Sequence, residues 1–368
     1  MRITKIELRH LKLPLVSPFE TSFSRVNTHE TIIVIMQAGP ITGYGEIPAS
    51  AYPYYSSETV TTCWYIIKNF LAPSLLKLNL DTPVLTTPEF KRVRGHNMAK
   101  AGLIMALSDL KARSRKQSLS RFYGGKRAFI MAGISLGVEA TIELLLDKIT
   151  NALSKGYHRI KIKIKPGWDI KVIQAIRKRF PALMLSVDAN GAYTLKDWRI
   201  FKTLDKYRLL MIEQPLGYND FLDHATLQKK IKTPICLDES IKNPEDAQLA
   251  LQLKSCRIIN IKQARVGGPI AARKIHDLCL SHKIPVWCGG LLETGIGRAH
   301  NVALASLPNF KLPNDISASE RYYREDIVNP PFTVQSDGLM KVPQGIGLGC
   351  EVNIKSLNAY TLRKELFA

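Results

Sequence analysis

The chain has 368 residues, 45% of them hydrophobic, with 52 Lys and Arg against 31 Asp and Glu for a formal net charge of +21. That length holds one large domain plus a smaller one. No apolar run approaches the roughly 20 residues of a membrane span, and the opening MRITKIELRHLKLPL lacks the apolar stretch and small-residue cleavage site of a secretory signal, so a cytoplasmic protein with no membrane partner is expected.

Up to about residue 125 the strand-like segments ITKIELRHLKL, TIIVIM and ITGYGEI come first, and helical stretches follow around 57–73 and 97–118. The second stretch has apolar residues at helical spacing and a basic end that suits the helix dipole. Strands followed by helices read as an α+β domain. From about 126 a strand–helix alternation takes over. Strands are expected at 129–136, 158–164, 183–188, 209–213, 234–238, 257–262 and 284–288, with a weaker one near 310–315. Helices fit at 138–154, 169–179, 195–205, 220–230, 244–253, 269–282 and 294–306. Seven or eight such units argue for a closed α/β barrel over 126–318. An open doubly wound sheet would need fewer units and a phosphate loop, and no GxGxxG is present. The tail, 319–368, loses this rhythm in PPF, DGLM and VPQGIGLG and is expected to pack back onto residues 1–125, so that a capping domain is built from both termini.

Charged residues recur along the barrel at a nearly constant interval. Lys163 closes RIKIKIK, Asp188 follows by 25 residues, Glu213 by 25, Asp238 by 25 and Lys262 by 24. Each ends an apolar run, and the C-terminal ends of parallel barrel strands are where this architecture keeps its chemistry. Alternation puts Lys161, Lys163 and Lys165 on one side of their strand and the isoleucines on the other, with Lys165 falling beyond the strand end because Pro166 follows. Lysines inside a barrel are costly unless paired with acids or turned toward an anionic ligand; an edge strand with exposed lysines is the plainer alternative. Asp188, Glu213 and Asp238 offer three hard oxygen ligands suited to Mg²⁺, or they are strand-end and helix-cap acids. Lys262 on the sixth strand lies opposite Lys163 on the second. A carboxylate substrate held between them would face one lysine on each side, an arrangement suited to abstraction of the adjacent proton.

Further candidates surround this set. Asn190 and Glu239 are auxiliary groups, and Ser135 and Arg265 lie on the first strand and just past Lys262. GGLLETG at 289–295 offers the backbone amides of Gly289 and Gly290 for a carboxylate, with Glu293 placed to contact Lys262 or substrate; a simple tight turn is the alternative. The polar loop at 17–29, with Ser22, can cover the barrel mouth. Tyr55, with Tyr52 and Tyr54, can do the same or can simply pack. The cations are spread along the chain, KKIK at 229–232 and KARSRK at 111–116 look like solvated helix surface, and no zinc-finger, RNP or KH pattern occurs. No specific nucleic-acid partner is therefore expected, and an anionic small-molecule carboxylate is. The six cysteines form no CxxC pair, which argues against a zinc site or a disulfide framework.

KIK at 161–163, DAN at 188–190, EQP at 213–215, DES at 238–240 and NIK at 260–262 resemble the enolase superfamily, in its muconate-lactonizing branch. PFETSF, GHNMAKAG, PGWD, VWCGGLLETGIGRAHNVALASLPNF and SASERYY resemble its o-succinylbenzoate synthase and N-succinylamino acid racemase group, over nearly the full chain. The resemblance implies a modified TIM barrel with an α+β capping domain. It also implies Lys163 and Lys262 as opposed acid/base residues, Lys161 as their helper, and Asp188, Glu213 and Asp238 as ligands of Mg²⁺ with Mn²⁺ as a substitute. The implied activities are dehydration to 2-succinylbenzoate on the menaquinone route, N-acylamino acid racemisation, or both, with dipeptide epimerisation or muconate cycloisomerisation less favoured; a homo-oligomer is expected. Asp315 is a lone acid in the eighth-strand region, without the acid pair that would favour a dipeptide. Gln263 and Ala264 depart from the Pro-Gly frequent among relatives, and Arg265 remains beside Lys262, where it would favour racemase chemistry.

Overall fold

The structure is a computed structural model that describes every residue except 21–24, 77, 85 and 86; Ser22 lies outside the described residues. Strands β1 (Lys5–Glu20), β2 (Arg25–Ala38) and β3 (Ile41–Ile47) form an antiparallel sheet. The last strand of the chain, Thr361–Phe367, adds to its free edge beside β1, with Ile6 opposite Phe367. The capping unit therefore does draw on both termini. Helices α1 (Val60–Ile66) and α2 (Asn97–Ser114) cover the sheet, and Ile6, Leu8, Val34, Met36, Trp64 and Leu103 form the core between them. At Gly43 and Gly45 a Cβ would lie 2.4 Å from the Ala106 carbonyl and 2.2 Å from that of Gly102. Only glycine lets the α2 backbone sit this close to β3.

The barrel strands are β4 (Ile134–Leu136), β5 (Arg159–Lys163), β6 (Met184–Asp188), β7 (Ile212–Glu213), β8 (Ile235–Leu237), β9 (Ile258–Ile261) and β10 (Val286–Cys288), parallel and in sequence order. Between them run α3 (Ile142–Ser154), α4 (Ile170–Arg179), α5 (Trp198–Leu204), α6 (Leu222–Lys230), α7 (Pro244–Leu253) and α8 (Pro269–Ser281), and α9 (Gly295–Ala305) follows β10. Residue parity divides each strand as expected. Ile160 and Ile162 are fully buried in the outer layer against the helices, and Arg159, Lys161 and Lys163 turn inward. Met211, Cys236, Ile258 and Trp287 make an apolar floor inside the barrel.

Two expectations need correction. The segment 129–136 is two short strands, not one: Phe129–Met131 pairs with Leu339–Lys341, and only β4 joins the barrel. The eighth stave is not a regular strand. Residues 309–315 make a single bridge, Val286 with Phe310, and otherwise attach through individual bonds. The Asp315 amide donates to the Cys288 carbonyl at 2.8 Å, the Asn314 amide to that of Met131 at 2.9 Å, and the Cys288 amide to Asn314 Oδ1 at 2.8 Å. Pro308 and Pro313 remove two donors from any ladder there.

Cap and barrel are joined by a buried carboxylate. Glu46, fully buried on β3, reaches the N-terminus of α9. It accepts from the amides of Thr294 (3.1 Å) and Gly297 (2.8 Å), from Thr294 Oγ1 (2.6 Å) and from Thr31 Oγ1 (3.0 Å). Burial alone would raise its pKa, but the His29 imidazole 3.7 Å away and the hydrogen bonds from Thr294 outweigh that and lower it. An acid at a helix N-terminus also meets the positive end of the helix dipole. Glu46→Ala should destabilise the protein by about 3 kcal/mol, read as a lower urea midpoint.

His300 on α9 is the second joint. Its Nε2 is 2.9 Å from the Tyr44 carbonyl and its Nδ1 is 2.7 Å from the Tyr123 hydroxyl. Nε2 donates to that carbonyl, and burial favours the neutral ring, whose Nδ1 then accepts from the Tyr123 hydroxyl; its pKa is lowered to about 4. The unfolded chain protonates this histidine near pH 6.5. Its contribution is therefore complete above that pH and is lost as pH falls toward 4, by up to about 3 kcal/mol. Urea unfolding between pH 7 and 4 should show this loss, and His300→Gln should flatten the slope.

Candidate active site

The C-terminal ends of the barrel strands bring the expected residues together. Asp188 and Glu213 are register partners on β6 and β7, and Lys163 pairs in register with Asp188. Lys163 Nζ donates to Asp188 Oδ2 at 2.6 Å and to Asn190 Oδ1 at 2.7 Å. Lys161 Nζ lies 2.8 Å from Glu213, 3.1 Å from Asp315 and 3.3 Å from Asp188. Across the barrel, Lys262 Nζ donates to Asp238 Oδ2 at 2.9 Å and to the Tyr55 hydroxyl at 3.1 Å. Arg265 is packed against Asp238. Its Nη1 donates to the Tyr55 hydroxyl at 3.0 Å, and its Nε and Nη2 bond the carbonyls of Ile241 and Asn260. Tyr55 thus joins Lys262, Arg265 and Asp238. Tyr52 and Tyr54 are exposed and stack on one another, with centroids 5.5 Å apart.

These contacts set the electrostatics. Burial would raise the Asp188 pKa, but the ammonium groups of Lys163 and Lys161 pull it below the usual carboxylate range. Burial opposes charge on Lys161, but Asp315, Glu213 and Asp188 together raise its pKa above an ordinary amine. Burial opposes charge on Lys262 as well, and Tyr55, Glu239 and Glu213 raise it. Glu239 shifts the other way for an acid: burial and the neighbouring Asp188 push it up, its Oε1 accepts from Asn190 at 2.8 Å, and its Oε2 is buried without a partner among the described residues.

Asp315, at the irregular eighth stave, is more than the lone acid that the sequence suggests. Its carboxylate accepts from Ser135 Oγ at 2.8 and 2.7 Å and holds Lys161. Burial would raise its pKa, but Lys161 and Arg159 lower it to about 2. It follows Pro313 and Asn314 rather than an apolar run, so neither spacing nor alternation signals this role. The 289–295 turn differs from expectation. The Gly289 amide is committed to the Ile261 carbonyl at 3.2 Å, which leaves Gly290 as the amide candidate. Glu293 Oε2 accepts from the Leu291 amide at 2.8 Å and is bonded there in place of Lys262; burial raises its pKa. A Cβ on Gly289 would lie 2.7 Å from Lys262 Cε, and one on Gly290 2.6 Å from the Asp315 carbonyl, so both positions need glycine.

A cavity of about 670 Å³ opens above this floor. Ser135, Lys161, Lys163, Asn190, Lys262 and Asp315 line its barrel side, and Phe19, Arg25, Tyr52, Tyr54 and Tyr55 line its cap side. Its size suits a small organic ligand.

Residues 3–124 match the mandelate racemase / muconate lactonizing enzyme N-terminal domain, and residues 145–356 match the enolase C-terminal domain-like family. The chain belongs to the mandelate racemase / muconate lactonizing family of the enolase superfamily. Among particular relatives, it is 46% identical over 368 residues to an o-succinylbenzoate synthase of Geobacillus kaustophilus, covering 100% of this chain and 98% of that protein. It is 46% identical over 350 residues to an N-succinylamino acid racemase of Amycolatopsis sp, covering 95% of each. A crystal structure of an enolase-superfamily member from Listeria innocua superposes with a TM-score of 0.94 at 43% identity, covering 100% of this chain and 99% of that one.

Enolase-superfamily enzymes depend on a divalent metal. The donor chemistry here fits one: Asp188, Glu213 and Asp238 are at most 1% exposed, supply only hard oxygens and end three adjacent strands. Among the described residues no three such side chains converge into a finished cage, because lysine ammonium groups stand between them. A dication would compete with those amines for the same oxygens. Asp188→Asn, Glu213→Gln or Asp238→Asn should each weaken binding of a divalent cation at least about tenfold in titration calorimetry, with the far-ultraviolet spectrum unchanged.

Proposed function

We propose that this protein is an o-succinylbenzoate synthase, removing the proton α to the carboxylate of 2-succinyl-6-hydroxy-2,4-cyclohexadiene-1-carboxylate and expelling water to give 2-succinylbenzoate. The observation that carries the α-proton abstraction is the placement of Lys163 and Lys262 at the ends of the second and sixth barrel strands, on opposite sides of one cluster of carboxylates. Full-length similarity to synthases supports the synthase reading. Asp188, Glu213 and Asp238 would hold the divalent ion, taken as Mg²⁺ with Mn²⁺ as a substitute, which when bound offsets charge building on the substrate carboxylate.

Lys163, as a free amine, takes the α-proton. The electron pair left behind completes the aromatic ring as the C–OH bond breaks, and the Lys163 ammonium returns its proton to the departing hydroxide. Water leaves and the amine is restored. Lys262 keeps its charge, since Tyr55 and Glu239 favour its ammonium form, and it stabilises the anionic side of the reacting centre. Lys161, held by Asp315, orients the carboxylate. The step would serve a menaquinone route in the cytoplasm.

The second reading is N-succinylamino acid racemisation. There Lys163 and Lys262 act on opposite faces, one removing the α-proton and the other supplying one. The Amycolatopsis relative and the Tyr55–Arg265–Lys262 contact favour it. Steady-state turnover of the cyclohexadiene and of N-succinyl amino acids with Mg²⁺ separates the two. Faster dehydration supports the synthase; faster racemisation makes that the role; neither, in folded metal-binding protein, rejects both. Lys163→Ala should lower the synthase rate at least about a thousandfold and abolish exchange of the α-proton with deuterium.

A further inference from the structure

In the sequence the cations look scattered, but the fold gathers a large share of them at one end of the barrel. The helix-to-strand passages 154–158, 177–183, 202–211, 229–234, 253–257 and 281–285 carry thirteen Lys and Arg against one acid, Asp205. That is +12 of the chain's net +21. Because β5 to β10 are consecutive and parallel, these six passages all lie at the N-terminal strand ends, opposite the lysine–carboxylate site. All the cations but Arg177 are exposed. Among the described residues only two form ion pairs: Lys155 with Glu320 at 3.7 Å and Lys202 with Asp205 at 3.5 Å. Asp205 is largely spent on the amides of Lys232 and Thr233.

A cation near each helix C-terminus is ordinary, since the dipole favours it. Up to three per passage with almost no acid exceeds that need, and self-repulsion of this kind is unfavourable without a counter-charge. We propose that this end of the barrel docks on an anionic lipid bilayer surface, with the mouth of the cavity facing away from it. The patch has the form of a flat partner's footprint. It runs across six adjacent helix ends, where a nucleic-acid strand would need a stripe or groove with exposed stacking side chains. The aromatics of these passages, Tyr157, Phe180 and Tyr207, are buried or partly buried. A second copy of the chain presents the same positive face and would be repelled. Among the described residues no helix is long and apolar enough to cross a membrane, so the attachment is peripheral and electrostatic.

The test is co-sedimentation of the full chain with vesicles of phosphatidylcholine alone and with phosphatidylglycerol added. Binding should require phosphatidylglycerol and disappear at about 0.5 M salt. Combined Lys178→Glu, Lys206→Glu and Lys229→Glu should lower the partition at least about tenfold, with turnover of soluble substrate unchanged. The matched cap variant, Lys91→Glu, Arg92→Glu and Arg94→Glu, changes the net charge equally and should lose less than about threefold. No binding to anionic vesicles overturns the proposal. So does equal loss in both variants, which would mean general basicity, and so does binding to duplex DNA in place of vesicles.

Discussion

The site depends on buried charges that neutralise one another. Asp188, Glu213, Asp238 and Asp315 meet Arg159, Lys161, Lys163, Lys262 and Arg265 inside the barrel mouth. Any one of these alone in an apolar barrel would cost several kcal/mol. They are tolerable because parallel strands in register deliver opposite charges to adjacent positions, as with Lys163 beside Asp188. A slip of one residue in β5 would turn Lys161 and Lys163 into the helix layer and bring Ile160 and Ile162 inside. Strand parity is thus a condition of the chemistry as well as of the core.

The apolar floor makes the pairing stronger. Trp287 lies under both Arg159 and Lys161, with ring centroid distances of 5.2 and 4.9 Å, and keeps water from reaching them from below. Arg159 ties the irregular eighth stave in place by donating to the Asn314 carbonyl at 2.5 Å, and a Cβ on Gly133 would lie 2.4 Å from its Nε. That anchoring sets Asp315 where it can hold Lys161 and Ser135. The cap then closes the upper side, fixed to the barrel by Glu46 and His300, so that Tyr55 reaches Lys262 from a different unit of the fold.

Much of this was legible in the sequence because it rests on period. The interval of about 25 residues gave the strand ends, and the alternation in RIKIKIK gave the inward lysines; both follow from chain geometry that every βα unit repeats. The eighth stave escaped because side-chain bonds from Asn314 and Arg159 replace a ladder, and such bonds leave no periodic trace. Gly289 is illegible for a similar reason. Its amide continues the sheet bonding to Ile261, whereas a glycine-rich string suggests free amides. The bonds of Tyr55 leave no local signal, since its partners lie 183, 207 and 210 residues away.

The two candidate reactions ask almost the same of the barrel floor. Both need an amine on one side of a carboxylate and a cation on the other, and Lys163 and Lys262 supply these whichever substrate arrives. The floor therefore fixes the class of reaction but does not choose between a cyclohexadiene and an N-acyl amino acid. That choice falls to the rest of the cavity, where the two substrates differ in shape. Its upper wall comes from the cap, through Phe19 and Arg25 at the facing ends of β1 and β2 and Tyr52 and Tyr54 on the loop after β3, none of which belongs to the buried ion network. Such residues can change without disturbing the ion network, whereas a change at Lys161 or Asp315 leaves its partners unpaired. The division explains how relatives that carry different activity names can each be 46% identical to this chain: the constrained part is shared, and the part that tells substrates apart is free to vary.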